Sequence, residues 1–594
     1  MKTKYLAAAL GVALMGLTSC SNFLEEEPNG RLATENFFQS NNDLTMALNA
    51  LYYNVASSQQ HSNPYITDCQ GSDMTSSTGG NKAPYLAADG FSLPSDYKGC
   101  TDLWRFCYNV IQASNLIIDN ADKAASSAGE QNVNIAKGNA YFWRALSYFR
   151  LVRVFGPLPI NAHNEPDGNN TPMTDVAGVY KFIEDDLEAA VACNLPATYS
   201  GLRKDGLGFT GNMNIWVTKQ AVEALQCAVF MNHAGYPLND ETYWEKAADK
   251  AYAVYSGVKN GTYQNALVPE WKQVYSVAEA DNTSSEMLIG VTYYTVPGQM
   301  GSMGNYVSQF SLCHRFGNLY GGWGDFIGER HFWKEFPEGP RKDAVYCPLL
   351  RLSSVTATDG SAICVDWWAT SDEKELAADG KNALIPQYHP MFAQFNINAD
   401  ADGNALAQAY DYTQPCYIGQ SYPQTHRTIR LAEVYCWLAE CAGHCGKYTA
   451  EATDALQQVM ARAYTTVPAI TDLAEQGYKE HTYEVAGYPL GLCSVRSDEF
   501  RTNKFYSMWQ YRSGEQTGVI VPKGTLTHSY KREKYTEEGN PRPKYRTVAY
   551  TYELAYDLVL QETTEGLVSE WAGENSIYQP YPPEETEKNP NIKR

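Results

Sequence analysis

Residues 132–159 read NVNIAKGNAYFWRALSYFRLVRVFGPLP, and the reading of this stretch decides the fold. Apolar and aromatic residues recur at helical spacing as far as Phe155, where Gly156-Pro157 stops the helix and turns the chain. Phe149 and Val152 stand at core spacing, as do Trp104, Tyr108 and Ile111 upstream, so these side chains are expected to pack helix against helix. The same periodicity predicts helices over 41–57, 102–123, 176–192, 215–234 and 241–256. In the first of these, Ser40, Asn41 and Asn42 supply capping types, and Leu44, Met46, Leu48, Leu51, Tyr52 and Val55 form the apolar stripe. Helical pattern resumes at 428–443 and 450–464. Helices on short connections, stacked antiparallel, describe a mainly α, tetratricopeptide-like scaffold, although the strict repeat consensus is absent.

Two regions break the pattern. Residues 58–99 are rich in Gly, Ser, Pro and Asp, and residues 261–426 in Gly, Pro, Asn and isolated aromatics, with one alternating segment at 287–294 that suits a short strand. Loops of this length are uncommon unless they are functional. The expected organisation is therefore a single domain over 35–594. Its helical scaffold covers about 35–260 and 427–466, a loop-rich insertion covers about 261–426, and an irregular C-terminal part covers 467–594.

The N-terminus adds an address. Lys2 and Lys4 precede an apolar run, Tyr5 to Gly16, that ends in Leu17-Thr18-Ser19-Cys20, the pattern of a secretory signal peptide over 1–19. The run is too short to cross a hydrocarbon core of roughly 30 Å. Leu-Thr-Ser-Cys resembles the lipobox of bacterial lipoproteins, which implies that Cys20 carries the lipid anchor. Residues 20–34 then form an acidic tether containing Glu25-Glu26-Glu27-Pro28, similar to the surface-export signal of Bacteroidetes lipoproteins.

The net charge of −21 becomes −23 once Lys2 and Lys4 are removed, which argues against nucleic acid and against a peripheral grip on anionic lipid. Fourteen cysteines suggest disulfides, but Cys107, Cys193, Cys227, Cys436 and Cys441 lie among apolar residues in helical patterns, where free cysteine acts as a small core hydrophobe. Cys441 and Cys445 share a helix face beside His444, too few ligands for a metal site. Forty-three Tyr and twelve Trp against twenty Phe favour surfaces that are both wet and adhesive, as sugar rings require.

Several segments in order carry a resemblance. Phe23-Leu24 with Pro28 and Asn36-Phe37-Phe38 open it. Trp104, Tyr108, Ile111 and Asn115 follow, then Arg144-Ala145, Tyr148-Phe149 and Leu151-Val152 with Phe155-Gly156-Pro157-Leu158-Pro159. Val179-Tyr180, Ile183 and Asp186-Leu187 come next, followed by Arg430–Tyr435 with Ala439-Glu440. Tyr581-Pro582-Pro583-Glu584-Glu585 and Asn589-Pro590-Asn591 close it. Together these resemble the SusD/RagB-like outer-membrane nutrient-binding lipoproteins. One segment departs: where that family carries a late basic-acidic helix, this chain reads Arg496-Ser497-Asp498-Glu499-Phe500-Arg501.

The resemblance implies a non-enzymatic protein of the outer membrane, lipid-anchored and facing outward, that delivers oligosaccharide to a SusC-like TonB-dependent transporter. It also implies that loops over the scaffold hold the ligand, and the two loop regions are where suitable residues cluster. Trp323, set in Gly321-Gly322-Trp323-Gly324, has nothing local to pack against, and with Tyr320, Tyr306 and Tyr97 it is the expected stacking surface. Asp73 and Lys82 are the expected polar partners, because an acid and a base of the early loop bind sugar in glycan-binding members. No cofactor is expected. Asn398, Asp400, Asp402, Gly403 and Asn404 suggest a structural Ca²⁺ loop, but Ala409 stands where a bidentate Glu would be needed. Peptide cargo, which some members of the family carry, is the alternative within it. A surface glycoside hydrolase would need a carboxylate pair that 67 acidic residues cannot single out.

Overall fold

The computed structural model describes residues 37–60, 96–164, 170–199, 216–235, 237–275, 285–291, 336–346, 425–486 and 578–593, with short strands and isolated positions between them. The signal peptide, Cys20 and the acidic tether lie outside the described residues. Among the described residues the frame is formed by α1 Asn41–Gln60, α2 Lys98–Asn120, α3 Glu130–Phe155, α4 Val176–Ala192, α5 Lys219–Ala234, α6 Tyr243–Lys259, α7 Pro340–Val345, α8 Leu431–Cys445, α9 Thr449–Ala463 and α10 Leu473–Glu484, with a one-turn helix at Ala125–Ala128 before α3. A short α11, Pro583–Lys588, lies near the end of the chain. Neighbours in sequence pack on each other from α1 to α6, and α6 then hands the stack to α8, which carries α9 and α10. The mainly α, tetratricopeptide-like architecture is thus as the periodicity implies.

Helix α3 is the axis of the first half. From Phe142 to Val152 every residue is buried, because α2 covers one side and α4 the other. Within this packing sits a polar knot. Arg144 makes a bidentate pair with Asp186 of α4 (2.8 and 2.6 Å) and also donates to Asn115 Oδ1 of α2 (2.7 Å) and to the Ala162 carbonyl (2.8 Å). One guanidinium therefore satisfies four acceptors and fixes three elements at once. The turn after α3 is where the C-terminus docks. Gly156 holds φ of 76°, and a Cβ there would meet the Tyr578 ring at 3.0 Å. The Tyr581 hydroxyl donates to the Pro157 carbonyl (2.7 Å), and its ring lies on Phe155 and edge-on to Trp104.

The strands pair two by two, all antiparallel. β1 (Thr75–Ser76) pairs with β5 (Ile327–Gly328), β2 (Leu158–Pro159) with β3 (Met173–Thr174), and β4 (Met287–Val291) with β8 (His426–Arg430). β6 (Leu350–Thr356) pairs with β7 (Ala362–Val365), β9 (Val519–Val521) with β12 (Leu558–Leu560), and β10 (Gly524–Tyr535) with β11 (Lys544–Leu554).

Four expectations need correction. Residues 428–430 are strand, not helix: Thr428 and Ile429 are β-branched, Ile429 and Arg430 stand opposite Ile289 and Met287 of β4, and α8 begins only at Leu431, where the Glu433 carboxylate accepts the Arg430 backbone N–H (2.8 Å). Segment 287–291 does not alternate between core and solvent, since all five residues are buried. Met46 is 38% exposed and leaves the α1 stripe to Leu44, Leu48, Leu51 and Val55. Finally, the scaffold does not stop at 466. Helix α10 belongs to it, and the part beyond contains the β9–β12 and β10–β11 pairs.

Helix α10 packs unusually close to α8. A Cβ at Gly477 would stand 2.5 Å from the Glu440 backbone nitrogen and 2.8 Å from the Cys436 carbonyl, and one at Gly443 would stand 2.3 Å from the Ala474 nitrogen. The neighbouring atoms are backbone and cannot swing aside. Gly477→Ala is therefore expected to lower the unfolding free energy by about 2 kcal/mol, measured as a fall in the urea midpoint at unchanged slope. A gain in stability, as a helical Gly→Ala change gives in open space, would show that the two helices are farther apart.

Candidate functional site

The two loop regions leave the scaffold from one place. In the β4–β8 pair Val291 stands opposite His426, so the insertion departs and returns through adjacent strands. The C-terminal end of α1, from which the early loop starts, lies against the same neck: the Tyr293 hydroxyl donates to the Ala56 carbonyl (2.9 Å) and Thr428 Oγ1 to Gln59 Oε1 (3.4 Å). The loops then meet again. β1 of the early region pairs with β5 of the insertion, Thr75 opposite Gly328 and Ser76 opposite Ile327. His426, in the neck, is fully buried, and burial together with the charges of Arg150 and Arg427 pushes its imidazole well below its usual range, so it stays neutral.

Behind the neck lies a buried ionic cluster of three arginines and three glutamates. Glu286, immediately before β4, accepts from Arg430 (2.6 Å) and from both amino groups of Arg462 (2.5 and 2.9 Å). Glu484 of α10 accepts from Arg341 (3.1 Å), Arg430 (3.1 Å), Arg462 (3.2 Å) and Trp271 Nε1 (2.8 Å). Arg341 also reaches Glu480 (2.7 Å), whose other oxygen takes the Tyr464 hydroxyl. Burial alone would raise the Glu484 carboxyl, but Arg462, Arg430 and Arg341 outweigh it and pull the group down to about 2. Glu286 is lowered in the same way, against its own burial, chiefly by Arg462. Arg341 comes from α7, inside the insertion, so the cluster ties that region to α8, α9 and α10. The charges balance, and every carboxylate oxygen has a donor. The arrangement is a positioning device, with no open side for a substrate.

Of the six expected ligand residues, Asp73, Lys82, Tyr306, Tyr320 and Trp323 lie outside the described residues, as do the 398–404 loop and residues 496–501. The sixth, Tyr97, precedes α2 and is 3% exposed, so its ring belongs to the core packing and presents no open face. Trp333, another aromatic of the insertion, is half-buried, with Lys342 Nζ 4.5 Å from its ring centre. The strand β1 lies two residues after Asp73 in the sequence, and β5 begins four residues after Trp323. Cys107, Cys193, Cys227, Cys436 and Cys441 are free and buried, the core role their neighbours implied. His444 stacks on Trp244 at 4.1 Å, and among the described residues no group of three His, Cys, Asp or Glu could hold a metal ion. The residues that sequence reading missed are those of the ionic cluster. Arg430 was visible within a motif, but nothing in the sequence joined it to Glu286 or Glu484.

Comparison with known proteins bears on all of this. Residues 22–204 match a family model described as SusD-like, starch-binding associating with outer membrane. SusD-like protein P2 of Formosa agariphila is 23% identical over 470 residues, covering 76% of this chain and 80% of that protein. A SusD homolog from Bacteroides thetaiotaomicron shares the fold with a TM-score of 0.67 at 18% identity, over 95% of this chain and 99% of its own. A structure solved with a xylogluco-oligosaccharide superposes with a TM-score of 0.62 at 18% identity, over 92% and 97%. The opening third matches the SusD-like family model, curated SusD-like proteins resemble most of the chain, and the fold of SusD homologs is shared along nearly all of it.

Proposed function

We propose that the chain is a cell-surface lipoprotein, anchored through Cys20, that captures oligosaccharide on its loops without cleaving it and passes it to a SusC-like TonB-dependent transporter. The observation that carries the reading is the β1–β5 pairing. It joins the early region to the insertion two residues after Asp73 and four residues after Trp323 in the sequence, which supports assigning both regions to one ligand site. The indole of Trp323 and the ring of Tyr320 supply the apolar face that sugar C–H groups stack on, and Asp73 and Lys82 supply hydrogen bonds to hydroxyls. The structure solved with a xylogluco-oligosaccharide is a neighbour in fold and lends support to the ligand class.

Isothermal calorimetry of the soluble chain against a panel of oligosaccharides is the test. Binding is expected, with no release of smaller sugars on prolonged incubation, and Trp323→Ala is expected to weaken it by about tenfold or more. Silence across the panel with heat released by peptides would favour peptide cargo. Accumulation of shorter sugars would favour a hydrolase.

A further inference from the structure

A second cleft lies on the scaffold, between α2, the 157–164 segment and the C-terminal residues 585–592, with a volume of about 430 Å³. That is within the range of small-molecule sites, about 300–1,000 Å³. None of its lining belongs to the loops described above. Six of its fourteen lining residues carry carboxamides. Three of these build the wall. Asn115 is locked between Arg144 and the Asn161 carbonyl, Asn161 accepts from Thr171, and Asn589 donates to the Thr171 carbonyl (2.8 Å) while accepting from the Asn591 N–H (3.0 Å). The other three, Asn109, Gln112 and Asn164, are exposed, and their side chains make no hydrogen bond to the described residues. The apolar floor comes from Trp104, Tyr108, Ile111 and Ile592.

The charges around the cleft are already spent. Lys588 pairs with Glu585 (2.8 Å), and His163 Nδ1 is held by Asp119 (2.7 Å). Among the described lining residues each charged side chain already has a partner of opposite charge, so neither an anion nor a cation is the favoured ligand. A carboxamide offers a donor and an acceptor side by side, which matches a hydroxyl, itself both donor and acceptor. Free carbonyl and amide groups beside an aromatic floor suit a ring with hydroxyls at its edge and C–H bonds on its face. We propose that this cleft is a second binding site, for a neutral saccharide, separate from the loop site and independent of it. The wall is preformed by its own hydrogen bonds, so binding orders only the exposed carboxamides.

Ile111 and Ile592 line the cleft and report on it. The test follows their ¹³C-labelled methyl signals, assigned with Ile111→Val and Ile592→Val, in the mature chain. The chain is titrated separately with maltotriose, cellotriose, mannotriose, xylotriose, inorganic phosphate and trialanine. At least one trisaccharide is expected to shift both signals saturably. The Asn109→Ala/Gln112→Ala variant, altered only at exposed positions, is expected to weaken that titration by about tenfold, the worth of one or two hydrogen bonds. Trp323→Ala is expected to leave it unchanged, which separates this site from the loops: calorimetric binding lost on Trp323→Ala without any methyl shift would leave the loop reading standing and overturn this one. The proposal is also overturned if phosphate or trialanine shifts the methyls while the sugars do not, or if the double variant titrates like the native chain.

Discussion

Glu484→Gln is expected to lower the unfolding free energy by about 3–5 kcal/mol at pH 7, the cost of breaking a buried ion cluster by removing one partner. The side chain keeps its shape, so packing is not the cause. What changes is charge: Arg341, Arg430 and Arg462 would face only Glu286 and Glu480, leaving one buried cation uncompensated. The pH dependence provides the check. The Glu484 carboxyl ordinarily titrates at 4.5 and in the folded protein at about 2. Its contribution is thus fully present above pH 4.5 and is lost as pH falls toward 2, because the unfolded chain takes up the proton first. The deficit of the variant relative to the native chain should therefore shrink over that same window. Urea denaturation at pH 7, 5, 4 and 3 measures it. A deficit below about 1 kcal/mol at neutral pH, or one that does not change with acid, would mean that the three arginines are compensated by other means.

Cys20→Ala is expected to move essentially all of the protein from the membrane fraction to the soluble fraction. Among the described residues no helix is long and apolar enough to cross a membrane, and the net charge of −21 opposes adhesion to anionic lipid. The soluble form should bind oligosaccharide with a dissociation constant within about twofold of the anchored form, since none of the proposed ligand residues lies in the tether at 20–34. Cells carrying the variant should fail to grow on the glycan that the native protein serves. Fractionation and calorimetry check the two halves separately. Retention in the membrane would refute the lipid assignment, and loss of binding by the released protein would show that the anchor also shapes the site.

Helices with an apolar stripe were legible from the sequence almost residue by residue. The reading of 176–192 coincides with α4, and those of 132–155 and 450–464 fall within two residues of α3 and α9. Helix α10 was not legible, and the reason is physical. Its buried residues are Gly477, Glu480, His481 and Glu484, so the face it turns inward is glycine and charge, and hydropathy periodicity has nothing to register. The same holds for the cluster as a whole. Its members sit at 286, 341, 430, 462, 480 and 484, with no spacing that a linear pattern could show. Asn115, Arg144 and Asp186 were visible as motif residues, but their union in one hydrogen-bonded knot exists only once α2, α3 and α4 are stacked. For the candidate site the sequence offered two long aperiodic regions and no geometry, and five of its six residues lie outside the described residues. Tyr97 illustrates the limit, since a tyrosine next to a loop reads alike whether its ring faces solvent or, as here, the core.

The neck formed by β4 and β8 makes residues 292–425 a cassette. Both of its ends cross from the scaffold at one antiparallel pair, so a corresponding segment from a relative could be spliced in at that pair without rethreading the helices. Recognition could then diversify rapidly on a frame that changes slowly. The exchange carries one requirement. Arg341 travels with the cassette while Glu480 and Glu484 remain behind, so an incoming segment lacking an arginine at that point would leave two buried carboxylates short of a donor. Chimeras at residues 291 and 426 should consequently fold or fail according to a single buried side chain.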